Sequence, residues 1–205
     1  MHTPYRDAAL DALYHGLFAD DIDAMVDRRQ PRTAWGRTLV ADPADTAALR
    51  ALALAPDTES RVAALAWGRL RELGQPVPRR QLLGVVIEVP LDSGLDTLAA
   101  YHDGSVRFLH GSGHTTLVEA PNTAMRATVQ RLLVAAQAVV DRIGPSDRPR
   151  GPAPQSNVRI NFLVSDGLYF GEGPMSRLMG DGLAGAVLQA GVALLDQVTA
   201  CVAAL

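Results

Sequence analysis

The stretch from Gln81 to Glu119 constrains the fold more than any other part of the chain. Short β-rich runs alternate there with turn signals at close intervals. The run LLGVVIEVP is dominated by apolar and β-branched residues and closes on Pro90, which has no amide to donate to a ladder. Leu95 to Tyr101 reads as a second strand. His102-Asp103-Gly104-Ser105 then predicts a tight hairpin turn, because Asp-Gly accepts the positive φ angles such a turn requires. Val106 to His110 follows as a third strand, Gly111-Ser112-Gly113 as a second tight connection, and His114 to Glu119 as a fourth strand. Strands joined by links this short pair as an antiparallel meander.

The remaining segments fit around that meander. Pro121-Asn122-Thr123 opens a long helix reaching Ile143, with an apolar stripe through Met125, Val129, Leu132, Leu133, Ala136 and Val140. A Pro-, Gly- and Ser-rich crossover follows, and Val158 to Ser165 alternates as a fifth strand. Asp166 to Gly185 reads as a glycine-rich segment before a final apolar helix. Upstream, helices are expected over residues 7–26, 43–55 and 58–73. Asp42 and Pro43 would start the second of these, and Asp57 or Thr58 the third. The expected class is therefore α+β. A helical N-terminal part (residues 1–78) precedes a five-stranded, mainly antiparallel sheet (residues 79–205) of order β-β-β-β-α-β-α, the two forming one continuous globular unit.

Composition removes several function classes. All 19 basic residues are arginine, so Schiff-base chemistry on a lysine and the Gly-Lys-Ser/Thr phosphate loop are excluded. A net charge of −3 gives no global attraction to nucleic acid or to an anionic membrane surface. The single cysteine, Cys201, cannot form an intrachain disulfide and reads as a core residue of the last helix. The N-terminal residues lack the apolar run of a secretory signal, and a cytoplasmic location is expected. The final helix approaches the length of a membrane span but carries Asp196 near its middle, so a buried helix is expected instead. Its apolar residues, Val187, Leu188, Val192, Leu194, Leu195, Val198, Val202 and Leu205, lie nearly all round it. The N-terminal helices or a second subunit should therefore cover it.

Three segments, ESRVAALAWGRLRELGQPVP, GVVIEVPLDSGLDTLAAYHDGSVRFLHGSG and LVSDGLYFGEGPM, together resemble a family of conserved bacterial proteins with no assigned activity. The resemblance spans roughly residues 45–185. It implies a bacterial origin and one unit across the helical and sheet parts. It implies no catalytic residue and no cofactor.

Two clusters are candidate sites. In His110-Gly-Ser-Gly-His114 a three-residue hairpin loop would bring two imidazoles together, but no third metal ligand lies nearby, so no metal site is expected. The segment Ser165 to Pro174, just beyond the fifth strand, holds Asp166, Tyr169 and Glu172 as candidate catalytic groups. Phe170 and Arg177 are candidate binding residues. A buried Asp166/Glu172 pair would divide acid and base roles. No Gly-x-Ser-x-Gly elbow is present, and no cofactor is expected. The leading expectation is a protein-binding or scaffold module that pairs with a protein partner or with itself as a homodimer. The alternatives are a small hydrolase-like enzyme using the 165–177 segment, and a membrane-associating effector acting through the final helix.

Overall fold

The computed structural model describes residues 4–92 and 94–203. Its sheet contains β1 (Leu82–Leu91), β2 (Gly94–Tyr101), β3 (Val106–Leu109), β4 (Thr115–Val118), β5 (Val158–Val164) and β6 (Gly167–Gly173). They lie in the order β4-β3-β2-β1-β5-β6, and every neighbouring pair is antiparallel. The α+β class and the meander stand as expected, but the sheet has six strands where five were expected. The sixth is the glycine-rich segment after β5, which turns back at once and pairs from Val164↔Gly167 to Val158↔Gly173. Glycines at 167, 171 and 173 erase the alternating apolar signal that marks a strand, while β5 supplies the ladder regardless.

Helices cover both faces of the sheet. One face packs on α5 (Thr123–Val140) and α7 (Ala184–Ala203). The other packs on the N-terminal part, which contains α1 (Ala8–Gly16), a 3-10 turn at Ile22–Ala24, α2 (Ala34–Val40), α3 (Thr46–Leu54) and α4 (Ser60–Glu72). Parity along β1 assigns the faces: Val85 and Ile87 face α5 and α7, whereas Val86 and Glu88 face α1. A bulge between Leu82 and Gly84 changes that parity and turns Leu83 toward the N-terminal helices. Gly84 is required beside it, since a Cβ there would sit 2.6 Å from the Tyr101 ring.

The first helix is shorter than expected, ending at Gly16, and α2 was not foreseen. The α3 helix starts from Asp45, whose carboxylate accepts from the amides of Ala47 and Ala48, and not from Asp42. The start of α4 is capped from outside its own sequence. Glu59, at the cap position, makes no capping bond. Instead Asp103, in the β2–β3 turn, accepts from the Ser60 amide at 2.7 Å and donates its own amide to Ser60 Oγ at 2.9 Å. Burial alone would raise the Asp103 carboxyl, but hydrogen bonds from Ser60 and Ser105 outweigh it and hold the group below the usual carboxylate range. Its contribution is therefore present above the unfolded pKa of about 3.9 and is lost as pH falls through the lower folded value. Asp103→Ala is expected to cost about 1–3 kcal/mol at neutral pH. Denaturant titrations should show that cost shrinking in acid.

The last helix departs from expectation. The N-terminal helices lie across the sheet and do not cover it. It packs on α5 and on the sheet, with Gly191 so close that a Cβ would lie 2.7 Å from Ile87 Cδ1. Val187, Leu188, Leu194 and Val198 are buried, whereas Val192 and Cys201 are exposed. Cys201 is thus a surface thiol and not a core residue. Ala184–Cys201 is long and apolar enough to cross a membrane by length and composition alone, and only 33% of it is buried, less than the buried helix that was expected. The Val202 side chain and Leu205, counted in its apolar set, lie outside the described residues.

Candidate functional site

The predicted site residues are only partly brought together. Tyr169, fully buried on β6, donates its hydroxyl to Asp166 at 3.2 Å. Burial and the adjacent Asp166 charge raise the phenol's pKa. Glu172 lies at the other end of the strand, about 20 Å along from Asp166 at strand rise, and pairs with Arg159 at 2.7 Å. The expected Asp166/Glu172 acid–base pair is therefore not assembled, because β6 is extended where a compact loop was expected. Phe170 is exposed beside Arg159, whose guanidinium carbon is 6.0 Å from the ring centre. Arg177 is exposed on α6 (Met175–Gly180). The His110 amide donates to the His114 carbonyl at 2.8 Å, which closes the hairpin through the backbone. The His110 ring turns toward Ser112 Oγ, at 2.6 Å, and Asp96, at 3.9 Å. Among the described residues no group of three or more His, Cys, Asp or Glu side chains is placed to hold a metal ion.

A buried polar cluster that the sequence reading did not foresee lies between α1 and the sheet. Glu88 on β1 is completely buried. It accepts from the Tyr14 hydroxyl at 2.7 Å and from Asn161 Nδ2 at 2.7 Å. Burial raises its carboxyl above the usual range, although Tyr14, Asn161 and the Arg159 guanidinium, 4.0 Å away, pull in the other direction. Beside it, the Tyr5 hydroxyl bonds to the Leu95 carbonyl at 2.8 Å and lies 3.0 Å from Thr97 Oγ1. The signal in the sequence is one glutamate inside an apolar strand run. Its partners lie 74 and 73 residues away.

Above this cluster opens a cleft of about 610 Å³ between α1, the 3-10 turn and the crossover loop at residues 150–153. Its polar lining is Asp11, Tyr14, His15, Asp21, Asp23 and Arg150. Asp11 and His15 are one helical turn apart, with His15 Nε2 3.5 Å from Asp11 Oδ2, and their side chains are 13% and 17% exposed. Asp11 Oδ1 and His15 Nε2 are buried with no hydrogen-bond partner among the described residues.

A second concavity, of about 170 Å³, lies on the opposite side of the sheet under α6 and α7. Ile87, Val89, Leu98 and Phe108 floor it, and Met175, Met179 and Val192 rim it. The three rim side chains are exposed. The fold and these surfaces define a three-layer protein, with one antiparallel sheet between two sets of helices, that carries a polar cleft on one side and an apolar groove on the other. No protein-family model, no curated protein and no solved structure matches the chain.

Proposed function

We propose that this protein is a protein-binding module that works through its α6–α7 face, and that the partner on that face is a second copy of the chain. One observation carries the reading: a 20-residue helix with one carboxylate and no basic residue has only 33% of its Ala184–Cys201 stretch buried. Asp196 is that carboxylate. Val192 is 52% exposed, and the exposed Met175 and Met179 continue the same apolar surface across the groove. Contiguous apolar surface of this kind marks interaction sites, and methionines adapt well to a partner. A near-neutral helix face also suits twofold pairing, where each residue meets surface like its own.

The competing readings draw less support. The free edge of β6 is blunted by its glycines and by the Glu172–Arg159 charge pair. Helices that lie on bilayers carry lysine or arginine along their polar side, and α7 carries none. The hydrolase-like reading needed Asp166 and Glu172 in one site.

Light scattering on the purified protein tests the proposal. The wild-type mass is expected to be that of two chains at micromolar concentration, with a melting temperature that rises with concentration, and Val192→Glu is expected to give one folded chain whose melting temperature no longer depends on concentration. A wild-type protein that stays monomeric when concentrated, or a Val192→Glu variant that stays dimeric, would overturn it.

A further inference from the structure

The hairpin between β3 and β4 brings a hydroxyl, an imidazole and a carboxylate into line. The Ser112 hydroxyl lies 2.6 Å from His110 Nδ1. The Ser112 amide also donates to Nδ1, at 3.1 Å. Nδ1 is therefore the accepting nitrogen, and the ring proton sits on Nε2. Nε2 faces Asp96 Oδ1 at 3.9 Å. That is an ion-pair distance, longer than a hydrogen bond, and catalytic contacts commonly tighten only once substrate is bound.

The surrounding backbone holds these groups in place. Asp96, on β2, accepts from the Gly111 amide at 2.8 Å. A Cβ on Gly94 would lie 2.9 Å from the Gly111 carbonyl oxygen, so the β1–β2 turn abuts the loop directly. The His110 ring stands edge-on to Phe108, with centroids 5.9 Å apart. Ser112 is exposed and opens on a cleft of about 580 Å³, within the size range of small-molecule sites. Tyr5 and Leu10 give the cleft apolar wall, and Arg6 is its one cationic residue among the described residues. Asp7 is occupied, accepting from the amides of Ala9 and Leu10 at the start of α1. No residue that lines this cleft also lines the α6–α7 groove.

A hydroxyl bonded to an imidazole whose second nitrogen faces a carboxylate is the arrangement that activates serine for acyl transfer. We infer that the protein hydrolyses small carboxylic esters at this cleft, with Ser112 as nucleophile, His110 as its base and Asp96 as the positioning residue behind the ring. Ser112 Oγ bonds to the ester carbonyl carbon as its proton passes to His110 Nδ1. The bond from that carbon to the alcohol oxygen then breaks, and the alcohol leaves with the proton. Water attacks the acyl-serine, giving its proton to the same nitrogen, and the carboxylic acid is released as Ser112 recovers a proton. Arg6 is the lining residue that can meet the charge developing on the carbonyl oxygen.

Two measurements on the full chain test this: labelling by diisopropyl fluorophosphate, read by mass spectrometry, and turnover of p-nitrophenyl acetate. One adduct is expected, on Ser112. Ser112→Ala changes an exposed hairpin position, so it should fold normally and lose both the adduct and the turnover. His110→Gln should slow labelling at least about a hundredfold and remove the inflection from its pH profile. Asp96→Asn should move that inflection to lower pH, because the imidazolium loses its counter-charge, an effect that a purely structural role would not produce. An unlabelled Ser112, labelling as fast in His110→Gln, turnover no faster than that of Ser112→Ala, or an inflection unmoved in Asp96→Asn would each overturn the inference. Whether the chain dimerises affects none of these results.

Discussion

Trp67→Ala is expected to remove about 3–5 kcal/mol of stability, a large part of the ~5–15 kcal/mol that holds a typical domain folded. Trp67 is 1% exposed and is the largest of the fully buried side chains. It sits on the α4 face whose Val62, Leu65, Ala66 and Leu70 are also buried, in the core that joins the N-terminal helices to the sheet. Close-packed neighbours collapse only partly into a hole of that size, so a cavity term adds to the lost transfer energy. Trp67→Phe separates the two contributions. The indole Nε1 is buried without an acceptor among the described residues, and an unsatisfied donor costs about 1–3 kcal/mol. Phenylalanine removes that donor and leaves a smaller void, so its loss is expected to be about 1.5 kcal/mol or less. Urea unfolding of the three proteins measures both differences. A phenylalanine variant as unstable as the alanine one would mean that the indole nitrogen is satisfied after all.

How far the fold was legible in the sequence depended on whether each signal was local. The Asp103-Gly104 turn needs positive φ, and Gly104 sits at +91°. The Gly111-Ser112-Gly113 connection was likewise readable, as was the stripe of α5, because each is encoded within a few residues. β6 was not, because its partner strand decides its conformation and its glycines carry no alternation. The capping of α4 was hidden for the same reason: the residue that performs it lies 43 positions away. The first helix was overextended because Leu17 and Phe18 continue its apolar period, whereas Ala19 takes a φ of +48° and turns the chain.

The site was less legible than the fold. Asp11 and His15 occupy the polar side of a helix, where sequence alone gives no reason to expect burial. The crossover loop that covers them arrives from residues 150–153. Glu88 was the most informative residue passed over. A charged residue inside LLGVVIEVP must either reach water or be satisfied internally, and the sheet, covered on both faces, allows only the second. Tyr14 read as an apolar residue of the first helix. Its ring does pack there, but its hydroxyl serves Glu88.

That cluster gives the second large expected effect, one whose size depends on pH. The Glu88 carboxyl has a raised pKa in the folded protein, chiefly from burial. The folded state therefore holds its proton more tightly than the unfolded chain, which releases it near about 4.3. Stability contributed by the protonated group is complete below that value and is lost as pH rises through the raised folded pKa. Glu88→Gln should flatten this part of the stability–pH profile. Asn161 Oδ1, which has no partner among the described residues, can accept from the new amide if the Asn161 side chain turns over. Tyr14→Phe acts in the opposite sense, because it removes a 2.7 Å bond that favours the charged form. Its cost should be about 1.5–3 kcal/mol above the folded pKa, where a charged acceptor loses its donor, and smaller below it. Chemical unfolding followed from about pH 4 upward until the wild-type profile levels off measures both profiles, so that the window brackets the raised folded pKa. If Glu88→Gln keeps the wild-type slope, another group titrates in that window. If Tyr14→Phe costs the same at both ends, the Tyr14–Glu88 bond does not distinguish the ionised from the neutral acid, and the electrostatic account of the buried cluster fails.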